Sequence, residues 1–122
     1  MSWANIPFTR PNAELILNGL KSCTTRHHAR AKTGDFFKVG TATYVVTRVE
    51  GHTLGWVAEH LHREEGFADP QGFIDCWNGI AADMAAKWGD QSKFAPFEES
   101  CPVWTHHFVP LDVWESRPRV WF

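Results

Sequence analysis

Gly19-Leu20-Lys21-Ser22-Cys23-Thr24-Thr25-Arg26 places a lysine, a thiol, a pair of threonines and an arginine directly behind a glycine. Upstream, Pro11 suits the first turn of a helix, and Ala13, Leu15, Ile16 and Leu17 carry it to Asn18-Gly19, a natural left-handed stop. The octet therefore begins where a helix ends, and its residues are expected to run extended. In an extended segment Thr24 and Arg26 project to one face, Cys23 projects to the other, and Lys21 has the reach to curl back towards Thr24.

Outward from the octet the chain reads as alternating short elements. Thr33-Gly34-Asp35 is a turn, Phe36–Val39 a short strand, and Thr43–Val49 a β-branched strand. Leu54–His62 and Pro70–Trp88 read as helices. Phe73, Trp77, Ile80, Met84 and Trp88 recur every three or four residues along the second, which predicts a core-facing stripe. Val103–Leu111, rich in valine and aromatics, reads as a late strand. Strands gathered around short helices in 122 residues predict an α+β fold, a small barrel or curled sheet flanked by helices, in one domain spanning residues 1–122.

Composition excludes several classes. Hydrophobic residues at 43% and charged residues at 21% match folded globular chains rather than disordered ones. No apolar run approaches the roughly 18 residues of a membrane helix, and Met-Ser-Trp-Ala-Asn lacks a signal-peptide pattern, so a cytoplasmic protein with no membrane partner is expected. Cys23, Cys76 and Cys101 are odd in number and irregular in spacing, so reduced thiols are expected. A net charge of −2 argues against bulk attraction to nucleic acid. Within that total, Lys21, Arg26, Arg30, Lys32 and Lys38 form a basic run, while Glu59, Glu64, Glu65 and Asp69 form an acidic one; the two either face each other across a cleft or are separate solvated patches.

The octet admits more than one chemistry. Lysine becomes a base when burial or a neighbouring cation lowers its pKa, so Lys21 with Thr24 makes a candidate base and nucleophile. Arg26 could hold a carbonyl oxygen or a base edge. Cys23 is a rival nucleophile if Lys21 and His27 activate it, and a core residue if it points inward. The pairs His27-His28, His60-x-His62 and His106-His107 raise a metal site, but neighbours on a strand diverge and residues two apart on a helix point away from one another, so no metal is expected. Trp56, Phe67 and Trp104 are candidates for a wall on which a planar ligand stacks.

Gly19-x-Lys21-x-x-Thr24-x-Arg26 resembles the signature of ASCH domains, and Lys32-x-Gly34-Asp35 resembles the turn that follows it. Glu65-Gly66-Phe67, then Phe73 and Trp77, resemble the family's Glu-Gly-Phe segment and downstream helix, and Val103-Trp104-x-x-x-Phe108 resembles its aromatic last strand. The resemblance runs from about Phe8 to Phe108 and leaves the tail Asp112–Phe122 outside it. It implies a PUA-like barrel with the signature lining a cleft. Threonine at position 24, where many members carry glutamate, is similar to the small bacterial amidohydrolases that act on N(4)-acetylcytidine. That likeness implies catalytic Lys21, Thr24 and Glu65, with Glu64 the adjacent fallback, substrate contacts from Arg26, Phe67 and Trp104, an acylated nucleoside as partner, and no cofactor. The alternative it implies is an RNA-binding module or ribonuclease in which Lys21, Arg26, Arg30, Arg117 and Arg119 track phosphates. Residues Pro70–Pro102 are longer than the smallest amidohydrolases need, which is expected to reshape the pocket and the acyl group it accepts.

Overall fold

Proline and glycine punctuate the first helix as their backbone limits require. In the computed structural model, which describes residues 2–117, α1 spans Arg10–Leu17 with Pro11 in its first turn, and the chain turns at Gly19 with φ +75°. The strands are β1 (Cys23–Arg26), β2 (Phe36–Val39), β3 (Ala42–Thr53) and β4 (Pro102–Pro110); the remaining helices are α2 (Leu54–His60), α3 (Pro70–Trp88) and α4 (Leu111–Glu115). All strand pairs are antiparallel, in the order β1-β4-β3-β2, and the sheet curls into a half-barrel. The α+β architecture expected from the sequence is thus present.

The central strands differ most from expectation. β3 continues past Val49 to Thr53, because Glu50, Gly51, His52 and Thr53 find partners in Thr105, Trp104, Val103 and Pro102. A register shift between Val46 and Arg48 re-aims its second half. Helix α2 stops at His60, two residues short, and Thr53 caps its start by accepting the Trp56 N–H at 3.3 Å. Asp69 caps α3 in the same way, accepting the Gly72 N–H at 2.8 Å ahead of Pro70.

Two cores form, one on each face of β4. Alternation along the strand assigns Phe108 to one face, where it joins Ile6, Ile16, Phe37, Tyr44 and Val46, and Val103 to the other, with Leu54, Val57, Phe73 and Trp77. The predicted stripe on α3 is core only in its first half. Phe73 and Trp77 are buried, whereas Met84 is 37% and Trp88 52% exposed. The helix is 19 residues, about 28 Å, long and packs on α2 and on the short turn after its own C-terminus, so the outer side of its second half stays open.

Candidate active site

The octet meets the Glu-Gly-Phe segment because the backbone of Glu64 grips the start of β1: its carbonyl accepts the N–H groups of Ser22 (2.7 Å) and Cys23 (3.2 Å). Gly66 makes the approach possible. Its φ of +100° is costly for any side chain, and a Cβ there would lie 3.0 Å from Leu15 Cδ1 and 3.5 Å from Lys21 Cβ. This turn exposes Glu64 and sends Glu65 inward, so of the two candidate acids Glu65 is the one at the site.

There Lys21 Nζ donates to Glu65 Oε1 at 2.5 Å and to the Glu65 carbonyl at 3.3 Å, with the two side chains only 4% and 3% exposed. The basic and acidic runs of the sequence therefore meet at this pair. The other carboxylate oxygen accepts the Thr25 hydroxyl at 2.6 Å, and Thr25 Oγ1 lies 2.9 Å from Thr105 Oγ1. Thr24 faces the opposite way along β1. Its hydroxyl accepts Arg26 Nε–H at 3.2 Å, while another nitrogen of Arg26 donates to the Pro7 carbonyl at 2.7 Å and the guanidinium lies 5.0 Å from the centre of the Phe8 ring. Burial, opposed by Glu65 and reinforced by Arg30, pulls Arg26 down to about 10, which leaves it cationic at neutral pH. The lysine expected beside Thr24 is thus hydrogen-bonded to Glu65.

These groups line one cavity of about 730 Å³, within the ~300–1,000 Å³ range of small-molecule sites. Lys21, Thr24, Thr25, Arg26 and Glu65 form its polar end. Phe67, Phe73, Trp77, Ile80, Met84 and Phe94 form its apolar wall. The exposed second half of α3 is thereby accounted for: Met84 lines the cavity rather than a core.

Three expected wall residues divide. Phe67 lines the cavity, but Trp104 and Trp56 do not. Trp104, 43% exposed at the end of β4, lies against the space beside Gly51, and Trp56 stacks on His52 with ring centres 4.0 Å apart. Trp104 sits opposite Arg26 across the ladder, but β1 supplies cavity-lining side chains and no described residue of β4 does. Cys23 is wholly buried, and burial, with Glu65 adding to it, pushes its thiol well above the ordinary value, against thiolate character. Lys21 and Arg26 are committed to internal partners rather than set along an exposed phosphate track, and Arg119 lies outside the described residues. Among the described residues, no three His, Cys, Asp or Glu side chains come together where a metal ion could be held.

Sequence reading missed Thr25 and Thr105, and weighed His27 and His106 only as a thiol activator or as metal ligands. His27 lines the cavity with its ring edge-on to Trp77 and Phe94, at 5.1 and 5.2 Å. His106, fully buried, ties the site together: Nδ1–H donates to the Thr24 carbonyl at 3.2 Å and Nε2 accepts the Arg30 N–H at 2.8 Å. Only a neutral ring does both. Burial holds His106 below its ordinary 6.5, with Arg26 and Arg30 acting in the same direction and the Thr24 carbonyl and Glu65 opposing. The unfolded chain therefore binds this proton more readily than the folded one, so the stability tied to the neutral ring is complete above about 6.5 and is lost as the pH falls. Burial shifts His27 and His107 in the same direction. The melting temperature should fall between about pH 7 and pH 5, and His106→Asn should flatten that slope; an unchanged slope would show that another group carries it.

The arrangement resembles known folds more than known sequences. An ASCH domain from Lactobacillus crispatus superposes with a TM-score of 0.63 at 15% identity, covering 90% of this chain and 78% of that one. The hypothetical protein PH0355 gives 0.58 at 16% identity, covering 90% and 99%, and protein EF3133 from Enterococcus faecalis gives 0.58 at 16%, covering 89% and 76%. No family model and no curated protein matches the sequence. The chain has the fold of an ASCH domain.

Proposed function

We propose that the protein is an amidohydrolase that removes the acyl group from the exocyclic amine of N(4)-acylated cytidines, releasing cytidine and a carboxylic acid. The observation that carries this reading is the buried Lys21–Glu65 pair lining an aromatic-walled cavity that Thr24 also lines. Burying two charges costs several kcal/mol per ion, which makes such a pair a poor device for stability and a common one for catalysis. The apolar wall suits a flat pyrimidine and its acyl substituent. The ASCH fold is compatible with a hydrolase, and the likeness of the octet to the acetylcytidine amidohydrolases supplies the specific substrate.

In the reaction proposed, Lys21 passes a proton to Glu65, and the neutral amine then accepts the proton of Thr24 as its oxygen attacks the acyl carbonyl. Arg26, already on the Thr24 hydroxyl, faces the oxyanion that forms. Glu65 delivers its proton to the departing amine as the carbon–nitrogen bond breaks, and water hydrolyses the threonyl ester to restore Thr24. Ile80 and Met84 extend the apolar lining along α3, and acyl groups larger than acetyl are expected to be accepted there. Acetyl- and benzoylcytidine, incubated beside a labelled RNA with and without a strong chelator, test this. Free cytidine is expected from both, unchanged by the chelator. Cleaved or retained RNA with intact acylcytidine would replace the reading with an RNA-directed one.

A further inference from the structure

We propose that Thr25 and Thr105 are positioning residues, a directed pair of hydroxyls that confines proton exchange on Glu65 to the oxygen facing Lys21. The direction follows from counting donors. A threonine hydroxyl carries one hydrogen, and that of Thr25 is committed to Glu65 Oε2 at 2.6 Å. Towards Thr105, 2.9 Å away, Thr25 can only accept, so the hydrogen of that bond comes from Thr105. The chain runs Thr105 to Thr25 to Glu65, and all three side chains are buried.

Each donation strengthens the next, because hydrogen bonds in a low-dielectric interior polarise one another. Oε2 is thereby fixed as an acceptor and Oε1 is left to Lys21 Nζ. When the nitrogen–hydrogen bond of Lys21 breaks and an oxygen–hydrogen bond forms on Glu65, the proton arrives at Oε1, the oxygen from which it can return or leave. Without the pair the carboxylate can turn, and the proton can be stranded on the wrong oxygen. The register of β1 against β4 builds this device by placing Thr25 directly opposite Thr105. The catalytic consequence rests on the proposed amide hydrolysis; the geometry does not.

Two measurements separate the two claims. With an acylated cytidine as substrate, Thr25→Val should lower kcat by about 10–100-fold with KM within about 3-fold, Thr25→Ser should stay within about 3-fold of the parent, and Thr105→Val should cost about 3–10-fold, adding nothing in the Thr25→Val background. Equal damage from Thr25→Ser and Thr25→Val, or losses that multiply, would overturn the proposal. Without substrate, the side-chain ammonium signal of Lys21 in ¹⁵N-lysine-labelled protein reports whether Glu65 is held. It should be visible in the parent and in Thr25→Ser and broadened away in Thr25→Val. A signal unchanged in Thr25→Val would overturn the relay. Should the parent release no cytidine while the signal behaves as expected, the relay stands and the amidohydrolase reading falls.

Discussion

Thr24→Ala is expected to lower turnover of an acylated cytidine by on the order of 10²-fold or more, because it removes the proposed nucleophile outright. Lys21→Ala should be similarly damaging, and the two together should cost little more than either alone, since groups that act as one unit are not additive when deleted. Arg26→Ala should weaken binding and turnover together, for its guanidinium lies on the Thr24 hydroxyl and forms part of the cavity. Nucleoside binding by calorimetry and a circular dichroism melt must accompany each rate, because Thr24 is buried and a disturbed β1 would imitate lost chemistry. Near-normal cytidine release from Thr24→Ala, with none from Cys23→Ser, would assign the attack to the thiol despite its burial.

The second large effect is on stability. Glu65→Leu leaves the ammonium of Lys21 in a site where the side chain is 4% exposed, and Lys21→Met leaves the carboxylate of Glu65 equally stranded. Each single change should cost about 3–5 kcal/mol, or about 10–20 °C in melting temperature for a chain of this size. The double variant removes both charges and should recover most of the loss while remaining inactive. Denaturant titration of the three variants checks this. A double variant as unstable as the singles would mean that packing around the site, rather than the unpaired charge, is what they break. Such a result would also weaken the case that the pair is kept for chemistry.

Much of the frame was legible because it rests on local rules. Pro11 and Gly19 set the ends of α1, Asp69 and Pro70 set the start of α3, and β-branched runs marked the strands, each through backbone or side-chain preferences that act over a few residues. The likeness of the octet and of Glu65-Gly66-Phe67 to ASCH motifs pointed to the fold, and the alternation of an extended segment separated Cys23 from Thr24. The second half of β3 was not legible: Glu50 and Gly51 have weak strand preferences, and the segment becomes a strand only through β4, about fifty residues away. The periodic stripe on α3 specified one face but not what that face meets, so Met84 and Trp88 read as core although the first lines a cavity and the second is exposed.

The site divides along the same line. By itself the sequence determined which residue types gather around the end of α1, because spacing and capping are local, and it determined that a lysine, threonines and an arginine would share a short extended segment. Tertiary structure alone decided their partners. The hydroxyl bonded to Glu65 belongs to Thr25 and not to Thr24, the lysine meets the acid from 44 residues away, and Thr105 and His106 reach β1 across 80 and 82 residues of chain. Such contacts depend on register, and register depends on the packing of both faces of the sheet at once. A shift of one residue between β1 and β4 would keep every local preference satisfied and take Thr105 away from Thr25.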